Sequence, residues 1–474
     1  MKFTRSQDFL WVSLALLIPI TIFFLLPITP NDYWWYLRLG KEISITHAVP
    51  TIETFSYTQA GQPMIYHSWL SALIFYWLYE LGGITLTVLF GGLLIARTYG
   101  LLWKMMRDMG VGPRLAGLIT LAAVLPGSVN WAMRPQLLAY PLFAWSLWIL
   151  WRWQRSKDRD LWALLLIALF WVNVHGSFVL LFLLVGAAFV FGKGNRKPLL
   201  IALGGTLLAT LINPRGWHVW EYVVNSLIVP SNQAFSREWM PPVNQGWQMN
   251  LFFFWILFFI AVAGFSSRKL SATDWVWILG FGWLGFSGLR YGIWLLFILA
   301  PMSAYLLSGW GNRWVDRSAK KGIPQMDILL GVIFLVLPLS LLPGLRSVWW
   351  AEAPAALSAD TPVAAAEWLR ENPELPDPLW VDLTFSSYFV YALPERPVWI
   401  DTRFEVYPPG HWANYSAVNN AVWNWEKLLV QDDINTLVLS QRAQANLIVA
   451  VEASPNWQKI YSDEIAKVFI RRKK

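Results

Sequence analysis

The first 344 residues are dominated by apolar runs, the fullest of them roughly 17–20 residues long, which is the length that crosses a hydrocarbon core. Such runs are read near 9–27, 84–104, 114–131, 136–153, 161–174, 177–192, 198–212, 249–266, 273–289, 292–310 and 326–343. A shorter apolar piece, 68–81, precedes the second run and is cut from it by Gly82-Gly83. It is too brief to cross alone and reads as an interfacial or broken half-helix. Only 14% of the residues are charged, against about 25% in soluble domains. With 56% hydrophobic residues and a mean hydropathy of +0.43, a soluble globular protein is excluded.

Basic residues sort the loops. Lys2 and Arg5, then Lys104, Arg107 and Arg114, Arg152, Arg155, Lys157 and Arg159, Lys193, Arg196 and Lys197, Arg268 and Lys269, and finally Arg313, Arg317, Lys320 and Lys321 fall between alternate runs. By the positive-inside rule these loops are cytoplasmic. About eleven crossings follow, in the cytoplasmic (inner) membrane, with the N-terminus inside and the C-terminus outside. The net charge of +8 is therefore a topology signal, with no nucleic-acid partner implied. The first run follows two basic residues without a small-x-small cleavage site and reads as an uncleaved anchor. The absence of cysteine excludes disulfides, thiolate nucleophiles and cysteine-ligated metals.

The expected architecture is an α-helical polytopic membrane portion, 1–344, carrying an external loop, 28–67, and a C-terminal extracytoplasmic α/β domain, 345–474. In that domain Pro362–Glu371 reads as an amphipathic helix. Leu379–Leu383, Val398–Asp401 and Thr436–Leu439 read as short buried strands. Trp412–Leu429 and Gln444–Glu452 read as helices, and Trp457–Arg471 as strands. About 125 residues are enough for one small core.

Topology then gathers the chemistry. All five histidines, His47, His67, His175, His218 and His411, fall in outer segments, as do Asp32, Glu53, Arg134, Gln136, Asn173, Asn213, Arg215, Glu238 and Arg290. Ionisable groups at membrane depth are expensive and tend to line cavities. A guanidinium matches phosphate with a planar fork, so Arg134, Arg215 and Arg290 are candidate phosphate ligands. Gln136, His175, Asn213 and Glu238 are further cavity candidates. Each has a plainer rival: Asp32 as a cap for the helix starting at Tyr33, Glu53 as a solvated acid, His67 as a cap or packing group. Likewise Arg134 and Arg290 could be snorkelling residues, Arg215 a turn residue and Glu238 the partner of Arg237. Asp401-Thr-Arg403-Phe-Glu405-Val-Tyr407 follows an expected strand, where α/β domains often bind ligands; a structural Asp–Arg pair is its alternative.

One stretch has a specific order: Asp32-Tyr-Trp-Trp-Tyr-Leu-Arg38-Leu-Gly40, a short helix, Ala48-Val-Pro50, an FSYT-type stretch, Gly61-x-Pro63, then His67-Ser-Trp-Leu70. It resembles the first external loop of the GT-C superfamily of membrane glycosyltransferases, which includes oligosaccharyltransferases, protein mannosyltransferases and arabinose-transferring lipid A enzymes. The resemblance implies a polyprenyl-phosphate or polyprenyl-diphosphate sugar donor, used outside the membrane with inversion, and a glycan, lipid or protein acceptor. It implies Asp32 as general base or metal ligand, with His67 or Glu53 assisting. Many members carry paired acids in this loop; here Asn31 precedes Asp32 and Trp34 follows Tyr33. A divalent metal, Mg or Mn, is left open, with Asp32 its one candidate ligand, and the outer domain carries no WWD-type motif. A transporter or flippase of a lipid-linked substrate would call for charges spread through the spans or an inverted repeat. A non-catalytic scaffold with a partner-binding outer domain is the third reading.

Overall fold

The computed structural model describes residues 2–228, 236–310, 323–422 and 424–472. Arg313, Arg317, Lys320 and Lys321 lie outside the described residues. The chain divides into two compact units, one made of Met1–Leu26, Gly82–Trp217 and Ser236–Pro354, the other of Pro27–Leu81, His218–Phe235 and Ala355–Lys474.

The first unit is helical. Helices occupy each of the eleven apolar runs, from Lys2–Leu25 to Pro324–Val336. Among the described residues, five are long and apolar enough to cross a membrane: Ser6–Leu25, Trp69–Asp108, Trp247–Phe265, Leu289–Trp310 and Pro324–Leu341. Others are too short to do so as straight helices. Arg196–Ala209, with 14 residues, rises about 21 Å, below the ~30 Å of a hydrocarbon core. Among the described residues, five of the eleven expected crossings are thus helices of spanning length, and the other runs form shorter helices. Gly292–Leu307 is buried almost throughout and packs against Pro113–Gly127, Trp247–Phe265 and Ala272–Ser287, as a helix apolar on every side must. Phe254, Leu257, Phe265, Leu279 and Trp283 stand exposed on the surface of this unit. Water would penalise such a surface, whereas lipid suits it, so this is a multi-pass membrane protein.

The second unit is organised on a four-stranded sheet of order β1-β2-β4-β3, with β1 Leu379–Val381, β2 Thr436–Ser440, β3 Trp457–Ser462 and β4 Ala466–Arg471. β1 runs parallel to β2, pairing Leu379 with Thr436; β2 and β4 are antiparallel, pairing Val438 with Val468. Thr436-Leu-Val-Leu-Ser440 is buried at every position, which is why its centre, Leu437-Val-Leu439, is continuously apolar. Trp380, Trp399, Trp412, Leu437, Leu447 and Phe469 fill the core. Two expectations are corrected here. Val398–Asp401 is not a strand: Val398 makes single bridges to Ser56 and Leu379, and the chain then curls as Asp401 accepts the Arg403 N–H. Trp412–Leu429 is two helices, Pro409–Asn419 and Trp425–Gln431, separated near Ala421, whose φ of 51° ends the first.

Within the second unit, helix Tyr33–Thr46 carries Asp32 at its start and lies against the helical stretch 69–81. Gly40 permits that contact. A Cβ there would stand 2.2 Å from the Ala72 carbonyl oxygen and 2.6 Å from Tyr76 Cβ. The stretch 69–81 ends at Gly82 and Gly83, and the latter has φ 57° and ψ −151°, a conformation open to glycine alone. Gly40→Ala is expected to destabilise the protein by about 1–3 kcal/mol, overriding the ~1 kcal/mol that alanine gains in a helix. Thermal unfolding of the purified protein checks this, with Gly186→Ala as control because nothing lies within 4 Å of its added Cβ. An unchanged midpoint for Gly40→Ala would sink the close-approach argument.

Candidate functional site

Asp32 precedes helix Tyr33–Thr46 and makes no side-chain capping bond to it. Its Oδ1 instead accepts a hydrogen bond from the Thr402 hydroxyl at 2.6 Å, across 370 residues of sequence. Thr402 Oγ1 is in turn 2.9 Å from Ser387 Oγ, on helix Leu383–Ala392. That helix packs against Tyr33–Thr46, with Trp34 edge-on to Tyr388 at 4.8 Å between ring centroids. The aromatic run after Asp32 is therefore buried anchoring, and it fixes where the acid begins the helix.

The residues flanking Thr402 are held by ions. Arg403 is about 1% exposed and donates to Glu53 Oε2 at 2.5 Å and Oε1 at 2.8 Å, as well as to Asp401. Tyr66 also donates to Glu53 at 3.3 Å and accepts from Arg403 at 3.2 Å. Glu53 further accepts the Phe55 and Ser56 backbone N–H groups at 2.6 and 2.9 Å. Burial works against charge on Arg403, but Asp401 and Glu53 outweigh it and hold the guanidinium well above its ordinary range. Glu53 is thus a buried structural acid bound on both oxygens, not a solvated one. Arg403 and Ser387 were missed as its partner and as the relay to Asp32. The only sequence signal was the Asp401-Thr-Arg403 stretch, which named neither contact.

His67 stacks on Tyr222 at 4.5 Å between ring centroids, and the Tyr222 hydroxyl donates to Glu405. Burial raises the Glu405 carboxyl, opposed by that hydroxyl. This short stretch therefore engages three different neighbours: Asp401 and Arg403 form the ion cluster with Glu53, Thr402 reaches Asp32, and Glu405 reaches the Tyr222–His67 stack.

In the helical unit the other candidates form two groups of turns. Arg134 donates to both oxygens of Glu238, at 2.5 and 2.6 Å, so Glu238 pairs with Arg134 and the local Arg237 pair is not what the structure shows. Arg290 lies over the Trp239 ring at 4.5 Å, and Gln136 donates to the Arg290 carbonyl at 3.4 Å. The second group joins Asn173, which donates to the Ile212 carbonyl at 2.9 Å, to the Asn213 turn. There Asn213 Oδ1 accepts the Arg215 N–H at 2.8 Å, and His175 Nδ1 accepts the Ser177 N–H at 3.0 Å. His175 and Asn213 thus spend their side chains closing turns.

Burial raises the Glu238 carboxyl, but the Arg134 and Arg290 charges more than reverse this and hold it below its ordinary value of 4.5. The sign follows from linkage: a depressed folded pKa stabilises above 4.5 and is lost as pH falls through the lowered folded value. Wild type is expected to lose more stability between pH 5 and acid than Glu238→Gln does, by a small margin because both partners are partly exposed. Unfolding midpoints of the two proteins across that range would check it; parallel curves refute it.

Among the described residues no three His, Asp or Glu side chains converge as a metal site requires. Asp32 Oδ1 accepts from the Thr402 hydroxyl, which is bonded in turn to Ser387. This donor set does not fit a protein-built Mg or Mn site, and no step is assigned to one.

A helical membrane unit together with an α/β unit that holds an acid at the head of its loop helix has the fold of the GT-C membrane glycosyltransferases. No protein-family model matches the chain, and no curated protein does. Solved structures do. The apo oligosaccharyltransferase of Archaeoglobus fulgidus aligns over 98% of this chain and 74% of its own, with TM-score 0.58 and 11% identity. The same enzyme tethered to an acceptor peptide containing the NVT sequon aligns over the same shares, with TM-score 0.56 and 12% identity. Arabinofuranosyltransferase AftD from Mycobacteria aligns over 97% of this chain but 41% of its own, with TM-score 0.58 and 14% identity.

Proposed function

We propose that this protein is a membrane glycosyltransferase of the inverting GT-C type. It takes a sugar from a polyprenyl-phosphate or polyprenyl-diphosphate donor and passes it to an acceptor hydroxyl on the outer face of the cytoplasmic membrane. The observation that carries the reading is Asp32: an acid at the head of the loop helix, bonded away from its own helix, in a chain with the GT-C fold. In the reaction the acceptor O–H bond breaks and Asp32 receives the proton. The acceptor oxygen bonds to the anomeric carbon, and the sugar–phosphate C–O bond breaks with its electron pair leaving on the phosphate. Positive charge stabilises that departure, a role assigned to Arg290, Arg215 and Arg134. For Arg134 the role requires exchange of Glu238 for the phosphate at Nη1, which both carboxylate oxygens now engage. His67 is kept as an assisting group. Glu53, twice bonded to Arg403, is assigned to holding the loop.

The test is donor consumption by purified protein offered a panel of polyprenyl-phosphate sugars with and without Mn²⁺. Turnover of one donor identifies its class. Failure to consume any donor, while Arg290→Ala binds lipid phosphate as well as wild type does, would turn the reading towards a non-catalytic scaffold.

A further inference from the structure

We infer that Thr402, hydrogen-bonded in turn to Ser387, is the positioning residue that sets the Asp32 carboxylate for proton abstraction; this rests on the transferase reading above. An aspartate at the start of a helix ordinarily spends an oxygen on the helix's first N–H groups. Asp32 does not, and its Oδ1 takes the Thr402 hydroxyl at 2.6 Å. The direction of each bond follows from counting protons. An ionised carboxylate only accepts, so Thr402 donates its single proton to Asp32. Ser387, 2.9 Å away and fully buried, must then donate to the Thr402 oxygen. The result is a directed chain, Ser387 to Thr402 to Asp32.

A carboxylate's last torsion is otherwise broad, so a base on an unpinned aspartate samples many planes. A charge-assisted hydrogen bond to one oxygen fixes the plane in which the proton arrives. Thr402 is itself held from both sides: Asp401 and Arg403 are locked with Glu53 in the buried ion cluster, so the turn cannot swing away from Asp32. Misplacing a catalytic group by about 1 Å can cost on the order of 100-fold in rate. Thr402 touches neither sugar nor phosphate in this scheme, and it acts through Asp32.

Thr402→Val removes the hydroxyl and keeps the branched shape. The expected result is a kcat about tenfold lower with the donor KM little changed, restoration by Thr402→Ser, and no further loss when Thr402→Val is added to Asp32→Asn. A second readout does not need turnover. In protein labelled with ¹³C-aspartate, the infrared carboxylate band that vanishes in Asp32→Asn should shift in Thr402→Val and return in Thr402→Ser. An unmoved band overturns the inference whether or not any donor is consumed. Full activity in Thr402→Val alongside an inactive Asp32→Asn overturns it too, and leaves the transferase reading standing. A wild type inactive on every donor, with Arg290→Ala binding lipid phosphate as well as wild type does, sinks the transferase reading and the positioning role with it, even if the band still reports the hydrogen bond.

Discussion

Asp32→Asn is expected to lower turnover of the donor by about 100- to 10,000-fold, the range a general base contributes. Asparagine keeps the side-chain volume and one oxygen to accept from Thr402, so the loop helix should stay in place. What it loses is the ability to take a proton. Donor KM should therefore change little while kcat falls, because the interaction lost belongs to the transition state. The measurement is steady-state donor consumption by the folded variant. Turnover within a few-fold of wild type would remove Asp32 from the mechanism.

The second large effect is on stability. Arg403 sits about 1% exposed between Glu53 and Asp401, themselves 1% and 0% exposed. Breaking a buried ion cluster by removing one partner costs roughly 3–5 kcal/mol, because the remaining charge is left without compensation. Arg403→Met strands two carboxylates, whereas Glu53→Gln leaves the Arg403–Asp401 pair intact. Thermal unfolding should thus rank wild type above Glu53→Gln, and Glu53→Gln well above Arg403→Met. If Arg403→Met unfolds with wild type, the cluster does not hold the unit together. The cluster's net worth is a separate matter, since an apolar replacement of the whole set could be neutral.

What could be read from the chain was what is local. Apolar runs marked the helices, and the apolar triplet Leu437-Val-Leu439 marked β2, because burial on both faces leaves a continuous signature. The glycine pair after residue 81 marked a break that the structure places at Gly82 and Gly83. The number of crossings was less legible, since the apolar run 198–212 lies on a helix, Arg196–Ala209, of only 14 residues. Val398–Asp401 has the composition of a strand, but pairing is a property of two segments, and the chain turns at Asp401 after bridging only at Val398. The partners of the candidate residues were out of reach for the same reason. Arg134 and Glu238 are 104 positions apart, Glu53 and Arg403 are 350 apart, and no periodicity links them. The sequence did show that Asp32 begins a helix. That its carboxylate would take a threonine hydroxyl and make no capping bond could not be read without the fold.

The separation of Glu53 from Arg403 also sets an order of events during synthesis. A ribosome adds about 5–20 residues per second, so the loop acid waits roughly 20–70 s before its arginine is even polymerised. Throughout that interval the loop cannot reach its finished conformation, because burying Glu53 alone would bury a bare charge. Helices of the first unit are made and inserted in the meantime. The loop that carries Asp32 is therefore among the first segments made and among the last completed, and a chain that stops short of Arg403 leaves it unfinished.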